Sequence, residues 1–85
     1  MKYIKINEID KYKDALLIDV RMPSEYIINH LNNFINIPVN SILTIVGKYP
    51  KNKNIILYCK EGVRSRRAAL MLNDLGYNNT YIILK

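Results

Sequence analysis

The chain has 85 residues, nearly half of them Ile (14), Asn (11), Lys (9) and Tyr (7), and carries 13 Lys and Arg against 7 Asp and Glu for a net charge of +6. That length suits one domain, residues 1–85, which can bury a core without disulfides or metal; a lone cysteine excludes an internal disulfide, and one cysteine with one histidine excludes a zinc site. The positive balance favours anionic partners, but no basic stripe interleaved with aromatics marks a nucleic-acid binder, and the Ile/Asn/Lys/Tyr bias is of the kind an AT-rich genome produces.

In chain order, the opening MKYIKINEIDKYKD lacks the apolar run of a signal peptide or membrane span, so the expected setting is cytoplasmic, with no membrane partner. A first strand is expected at Tyr3–Ile6 and a short helix at Glu8–Lys11 with Asn7 as N-cap. ALLID, ending at Asp19, reads as a buried strand from Ala15, followed by a helix at Glu25–Asn29 capped by Ser24. Phe34–Ile37 reads as a third strand, and Ser41–Val46 as a helix capped by Asn40 and closed by Gly47. NIILY, Asn54–Tyr58, is a second continuous apolar run and belongs centrally in a sheet. Arg66–Leu75, capped by Ser65 and closed by Gly76, repeats apolar residues at Ala68, Met71, Leu72 and Leu75, one face for packing on that sheet. Thr80–Leu84 is the fifth strand. Strands alternating with helices make the fold class α/β.

The one cysteine, Cys59, stands at the corner between NIILY and the following helix, the carboxyl end of a strand, where open α/β sheets bind ligands. The turn from Lys60 to Ser65 leaves backbone N–H groups without sheet or helix partners, and Gly62 permits a positive φ, so these donors can converge on an anion. A thiolate is such an anion, and the helix N-terminus, Lys60 and Arg64 all favour it. A packed core thiol is the competing reading, as a solvated basic face is for Arg66 and Arg67.

CKEGVRS, residues 59–65, resembles the active-site loop of rhodanese-type sulfurtransferases. LLIDVRMPSEY (16–26) resembles that family's Asp-Val-Arg motif with a glutamate four residues after the arginine, and NHLNNFINIP (29–38) its Gly-His-Ile to Asn-Ile-Pro segment. The resemblance implies a parallel five-stranded sheet with helices on both faces, and a cysteine that carries sulfane sulfur as a persulfide without a cofactor. Residue by residue, it makes Cys59 the nucleophile, Lys60, Glu61, Gly62, Val63, Arg64 and Ser65 the cradle for the bound sulfur or anion, and Asp19, Arg21 and Glu25 structural support, with an Arg21–Glu25 ion pair expected. The implied reaction takes sulfur from thiosulfate or a persulfide donor and passes it to a thiol, cyanide or a protein acceptor.

Where this sequence departs from the pattern, Asn29 and Asn33 replace glycines, Lys60 replaces a common arginine and Phe34 a common alanine. Asparagine enters left-handed conformations readily, so both turns are expected to survive. His30 matches the family's histidine and reads as a hydrogen-bonded structural residue. No Gly-Gly and tryptophan tail follows the last strand, which is expected to leave the Cys59 pocket open to a protein or bulky thiol. Two alternatives compete: a non-catalytic rhodanese-like module for protein binding or redox sensing, and a cysteine phosphatase or arsenate reductase. Against the second, its loops place arginine six positions after cysteine, whereas here Ser65 holds that place and the arginine is Arg64.

Overall fold

Five parallel strands form one sheet in the order β1-β5-β4-β2-β3, with β1 at Lys2–Lys5, β2 at Leu16–Asp19, β3 at Ile35–Asn36, β4 at Ile55–Tyr58 and β5 at Thr80–Leu84. The structure is a computed structural model that describes residues 1–84, so Lys85, the end of the expected domain, lies outside the described residues. The expected α/β architecture is the observed one. Strand β4 is paired on both sides and its Ile55, Ile56 and Leu57 are wholly buried, which is why its sequence is continuously apolar.

Side chains alternate between two cores. On one face Ile18, Val20, Ile55, Leu57, Cys59 and Ile82 meet helix α2 (Val63–Asp74) and a 3-10 turn at Val39–Ile45. On the other, Ile4, Phe34, Ile56 and Ile83 pack with Ile9 and Tyr12, in and beside a 3-10 turn at Ile6–Lys11, and with Leu31, just beyond helix α1 (Pro23–Ile28). Helical elements therefore cover both faces. Among the described residues no helix is long and apolar enough to cross a membrane.

All helical segments begin earlier than their side-chain caps suggested: Lys5, Met22, Pro38 and Gly62 occupy the N-cap positions expected of Asn7, Ser24, Asn40 and Ser65. For the first two the reason is a glutamate. Glu8 Oε1 accepts the Lys5 amide at 2.7 Å and Glu25 Oε1 the Met22 amide at 3.1 Å, so a carboxylate in the first turn sets the start. Pro23, with its preset φ, takes the first position of α1.

The buried face of α2 is also rotated from the expected one. Ser65, Ala68, Ala69 and Leu72 are buried, whereas Leu75 is 41% exposed. The helix stops at Asp74; Gly76, at φ +91°, turns the chain, and the Tyr77 and Gly76 amides donate back to the Leu72 and Asn73 carbonyls, each at 3.0 Å. That turn sends Tyr77, not Leu75, into the core, where its hydroxyl donates to the Tyr49 carbonyl at 2.6 Å. Of the two asparagines in glycine positions, Asn33 takes a left-handed φ of 69° as expected, while Asn29 is extended at φ −166°.

Candidate active site

Strand β4 ends at Tyr58, whose carbonyl accepts the Val20 amide at 2.9 Å, and Cys59 is the next residue. Its side chain lies on the α2 face and is only 2% exposed. Gly62, in the left-handed region at φ 86°, turns the chain into α2 and aims the first-turn amides back at the sulfur. Sγ accepts the Gly62 amide at 3.0 Å and the Ser65 amide at 3.4 Å. A Cβ at position 62 would meet nothing within 4 Å, so glycine is needed there for its backbone and not for space.

Burial alone would push the Cys59 pKa up. Against it act the Ser65 side chain and amide and the Gly62 and Glu61 amides, and together they hold the thiol below its ordinary value. Ser65 is fully buried inside α2, not at its cap, and its hydroxyl has no hydrogen-bond partner of good geometry among the described residues. That hydroxyl is near enough to Sγ to favour the anion. Lys60 and Arg64, expected to favour the thiolate together with the loop amides, take a lesser part than these hydrogen bonds. Lys60 is exposed at the rim, and Arg64 turns to a different partner.

That partner is Glu25. Arg64 Nη1 and Nη2 donate to Glu25 Oε1 and Oε2 at 2.5 and 3.0 Å, a two-pronged pair joining the first turn of α2 to that of α1. The Arg64 guanidinium and the Met22 amide lower the Glu25 pKa to about 2. The expected Arg21–Glu25 pair does not form. Arg21 lies before α1 and folds back onto the buried Asp19, with Nε 3.0 Å from both carboxylate oxygens and Nη2 2.8 Å from Oδ2. The hydrogen bonds to Asp19 raise the arginine's pKa. Asn36, which sequence reasoning did not single out, clamps this corner by donating to the Asp19 and Arg21 carbonyls at 3.0 and 2.9 Å.

Outside the cradle, Lys60, Glu61, Gly62 and Val63 line a cavity of about 290 Å³ together with Arg66, Tyr3, Ile82, Ile83 and Leu84. Arg66, in the first turns of α2, lines this cavity and not the cradle around Sγ. His30 accepts the structural role read for it: Nδ1 lies 2.9 Å from the Tyr26 carbonyl and the ring stacks on Tyr26 at 3.8 Å.

A parallel sheet carrying a cysteine at the carboxyl end of its central strand, with loop amides turned onto the sulfur, defines a class of thiolate-bearing α/β domains that includes both sulfurtransferases and cysteine phosphatases. Within it, residues 5–85 match the rhodanese-like domain, and the chain belongs to that family. It is 30% identical over 81 residues to a sulfurtransferase of Allochromatium vinosum, covering 85% of this chain and 76% of that protein. It is 36% identical over 84 residues to the tRNA uridine(34) hydroxylase of Buchnera aphidicola, covering 92% of this chain but only 27% of the relative, so the chain spans about a quarter of such proteins. Among solved structures, the single-domain sulfurtransferase RDL2 of Saccharomyces cerevisiae superposes with a TM-score of 0.78 at 30% identity, covering 96% of this chain and 81% of that one.

Proposed function

We propose that this chain is a rhodanese-type sulfurtransferase in which Cys59 carries sulfane sulfur. The Cys59 thiolate attacks the outer sulfur of thiosulfate; the S–S bond of thiosulfate breaks, sulfite leaves with its electron pair, and Cys59 keeps the outer sulfur as a persulfide. An acceptor thiolate, cyanide or a protein thiol then attacks that outer sulfur, and the electron pair of the breaking bond returns to Sγ as the thiolate. In this reading the backbone from Lys60 through Glu61, Gly62, Val63 and Arg64 to Ser65 forms the cradle. Arg64 is held through Glu25, and the Asp19–Arg21 pair steadies the corner beside it.

The observation that carries the reading is a buried sulfur that accepts two backbone amides, from Gly62 and Ser65. The Arg64–Glu25 pair favours it over the phosphatase alternative, since the guanidinium is committed to a carboxylate instead of facing an oxyanion in the ring. The reaction named for the hydroxylase relatives is not carried over, because the match covers about a quarter of their length. The test is intact-mass measurement after incubation with thiosulfate, for wild type and Cys59→Ser. Gain of one sulfur by wild type alone is expected; no gain with thiosulfate or any persulfide donor would leave the non-catalytic module as the better reading.

A further inference from the structure

The cavity beside the loop has a composition that the transfer of bare sulfur does not require. Its apolar lining comes from Tyr3 on β1 and from Ile82, Ile83 and Leu84 on β5; the rest is the loop from Lys60 to Val63, with Arg66 one turn into α2. Two cations, Lys60 and Arg66, line the cavity beside one acid, Glu61. Both cations are exposed, and neither forms an ion pair among the described residues, whereas Arg21 and Arg64 are each committed to a carboxylate. Gly62 belongs to both places: its amide lies 3.0 Å from Sγ and the residue also lines the cavity, so the cavity adjoins the loop that holds the sulfur.

An apolar pocket rimmed by uncommitted cations fits a ligand with a short hydrocarbon body and an anionic end. About 290 Å³ is room for a small organic molecule and too little for a folded partner's surface element. We infer that this cavity is the acceptor subsite, and that it selects low-molecular-weight thiols bearing a carboxylate, which Lys60 and Arg66 bind while the thiol end reaches over the Gly62 corner to the persulfide. The inference rests on the sulfur-transfer reading for its chemistry, though not for its binding. The acceptor enters as a thiolate RS⁻ and attacks the outer sulfur of the protonated persulfide Cys59–S–SH. The RS–SH bond forms, the S–S bond to Cys59 breaks, and its electron pair stays on Sγ as the thiolate that the Gly62 and Ser65 amides favour; one negative charge enters and one remains.

Arg66 is thereby a specificity-determining residue for the acceptor. The Arg66→Gln and Arg66→Glu variants change an exposed side chain on the first turns of α2, away from its buried Ala68, Ala69 and Leu72 face.

The experiment compares 3-mercaptopropionate, 2-mercaptoethanol and cysteamine as acceptors for persulfide-loaded protein, with rates normalised to the thiolate present. A second arm titrates the non-thiol analogue 3-(methylthio)propionate into unloaded protein and follows backbone amide shifts by NMR. Wild type is expected to prefer the carboxylate over the neutral thiol by about threefold or more at low salt, the effect of exposed charge pairs, and to lose the preference at high salt. Arg66→Gln should bring the ratio toward one, and Arg66→Glu should invert it in favour of cysteamine, an exchange that a merely structural role for Arg66 would not produce. The analogue should shift the amides of Lys60 to Val63, Tyr3 and Leu84. Equal rates for all three thiols, or shifts absent from those residues, would overturn the inference while leaving sulfur transfer intact. Shifts at those residues in a protein that cannot be loaded with sulfur would uphold the anion pocket and remove the sulfur-transfer reading.

Discussion

Replacing Ser65 by alanine separates what its hydroxyl does for the fold from what it does for the sulfur. The hydroxyl is buried without a partner of good geometry, so removing it costs little stability and can even raise it. Yet the same hydroxyl favours the Cys59 anion. Ser65→Ala should therefore shift the pH midpoint of Cys59 alkylation upward with the melting temperature nearly unchanged. Wild type should show that midpoint below the free-thiol value of about 8.5, and a midpoint at or above it would remove the cradle's electrostatic role. Glu25 makes an independent prediction about acid. Its folded pKa of about 2 lies below the ordinary 4.5, so its pairing with Arg64 stabilises the fold fully above about 4.5, and that contribution is lost as pH falls toward 2. The stability deficit of Glu25→Gln against wild type, read from urea midpoints, should accordingly be constant near neutrality and vanish on approach to pH 2. A deficit that persisted unchanged there would mean that the carboxylate acts by packing instead of charge. Arg64→Ala should cost little stability, because the pair is about one-third exposed on both sides, but should cut persulfide loading severely; full loading would take Arg64 out of the site.

At the scale of elements, the turn at Gly62 decides how the amides meet the sulfur. Gly62→Ala adds a methyl group into open space but forces an L-residue to hold φ 86°, a backbone cost of about 1–2 kcal/mol. The expected result is a protein that folds with reduced stability and loads sulfur poorly, with Gly62→Asn milder than Gly62→Ala in both measurements. Equal behaviour of the two variants would show that left-handed strain is not what the position resists. The strands were legible in the sequence because buried parallel strands leave continuous apolar runs, and IILY and LLID are such runs. The helix starts were not, because Asn7, Ser24, Asn40 and Ser65 are good local capping residues while the actual starts answer to Glu8, Glu25, Pro38 and the Gly62 turn. For the candidate site, the cysteine, glycine and basic loop could be read directly. The Arg64–Glu25 pairing could not: 39 residues separate the partners, whereas Arg21 stands four before Glu25 and looks like its neighbour until the chain is seen to enter α1 only at Pro23. Arg66 reads from the sequence as a first-turn residue of this helix, but the cavity it shares with Tyr3 and Leu84 does not, because those residues lie far from it in the chain.

For the molecule as a whole, a domain of 85 residues has a net stability of roughly 4–13 kcal/mol. Leu72 is wholly buried between α2 and the sheet, so Leu72→Ala should remove about 2–5 kcal/mol of it, measured by urea denaturation, and leave a partly unfolded population near body temperature. A loss well under 1 kcal/mol would mean that the core closes around the gap. Cys59 belongs to that same core because it continues the odd-numbered side of β4, after Ile55 and Leu57, while Ile56 and Tyr58 face the opposite layer. The chemistry of the chain thus depends on parity. Removing one residue between Ile55 and Tyr58, with the rest of the strand kept in register, would swing the thiol to the Phe34 layer, away from the first turn of α2, and bring Lys60 toward the apolar side in its place. Removing two would restore the facing but shorten the climb to the loop. Length changes in the turn between Val46 and Asn54 carry no such alternation, so across related chains, variation in spacing should gather there, while the count from the start of β4 to the cysteine stays fixed.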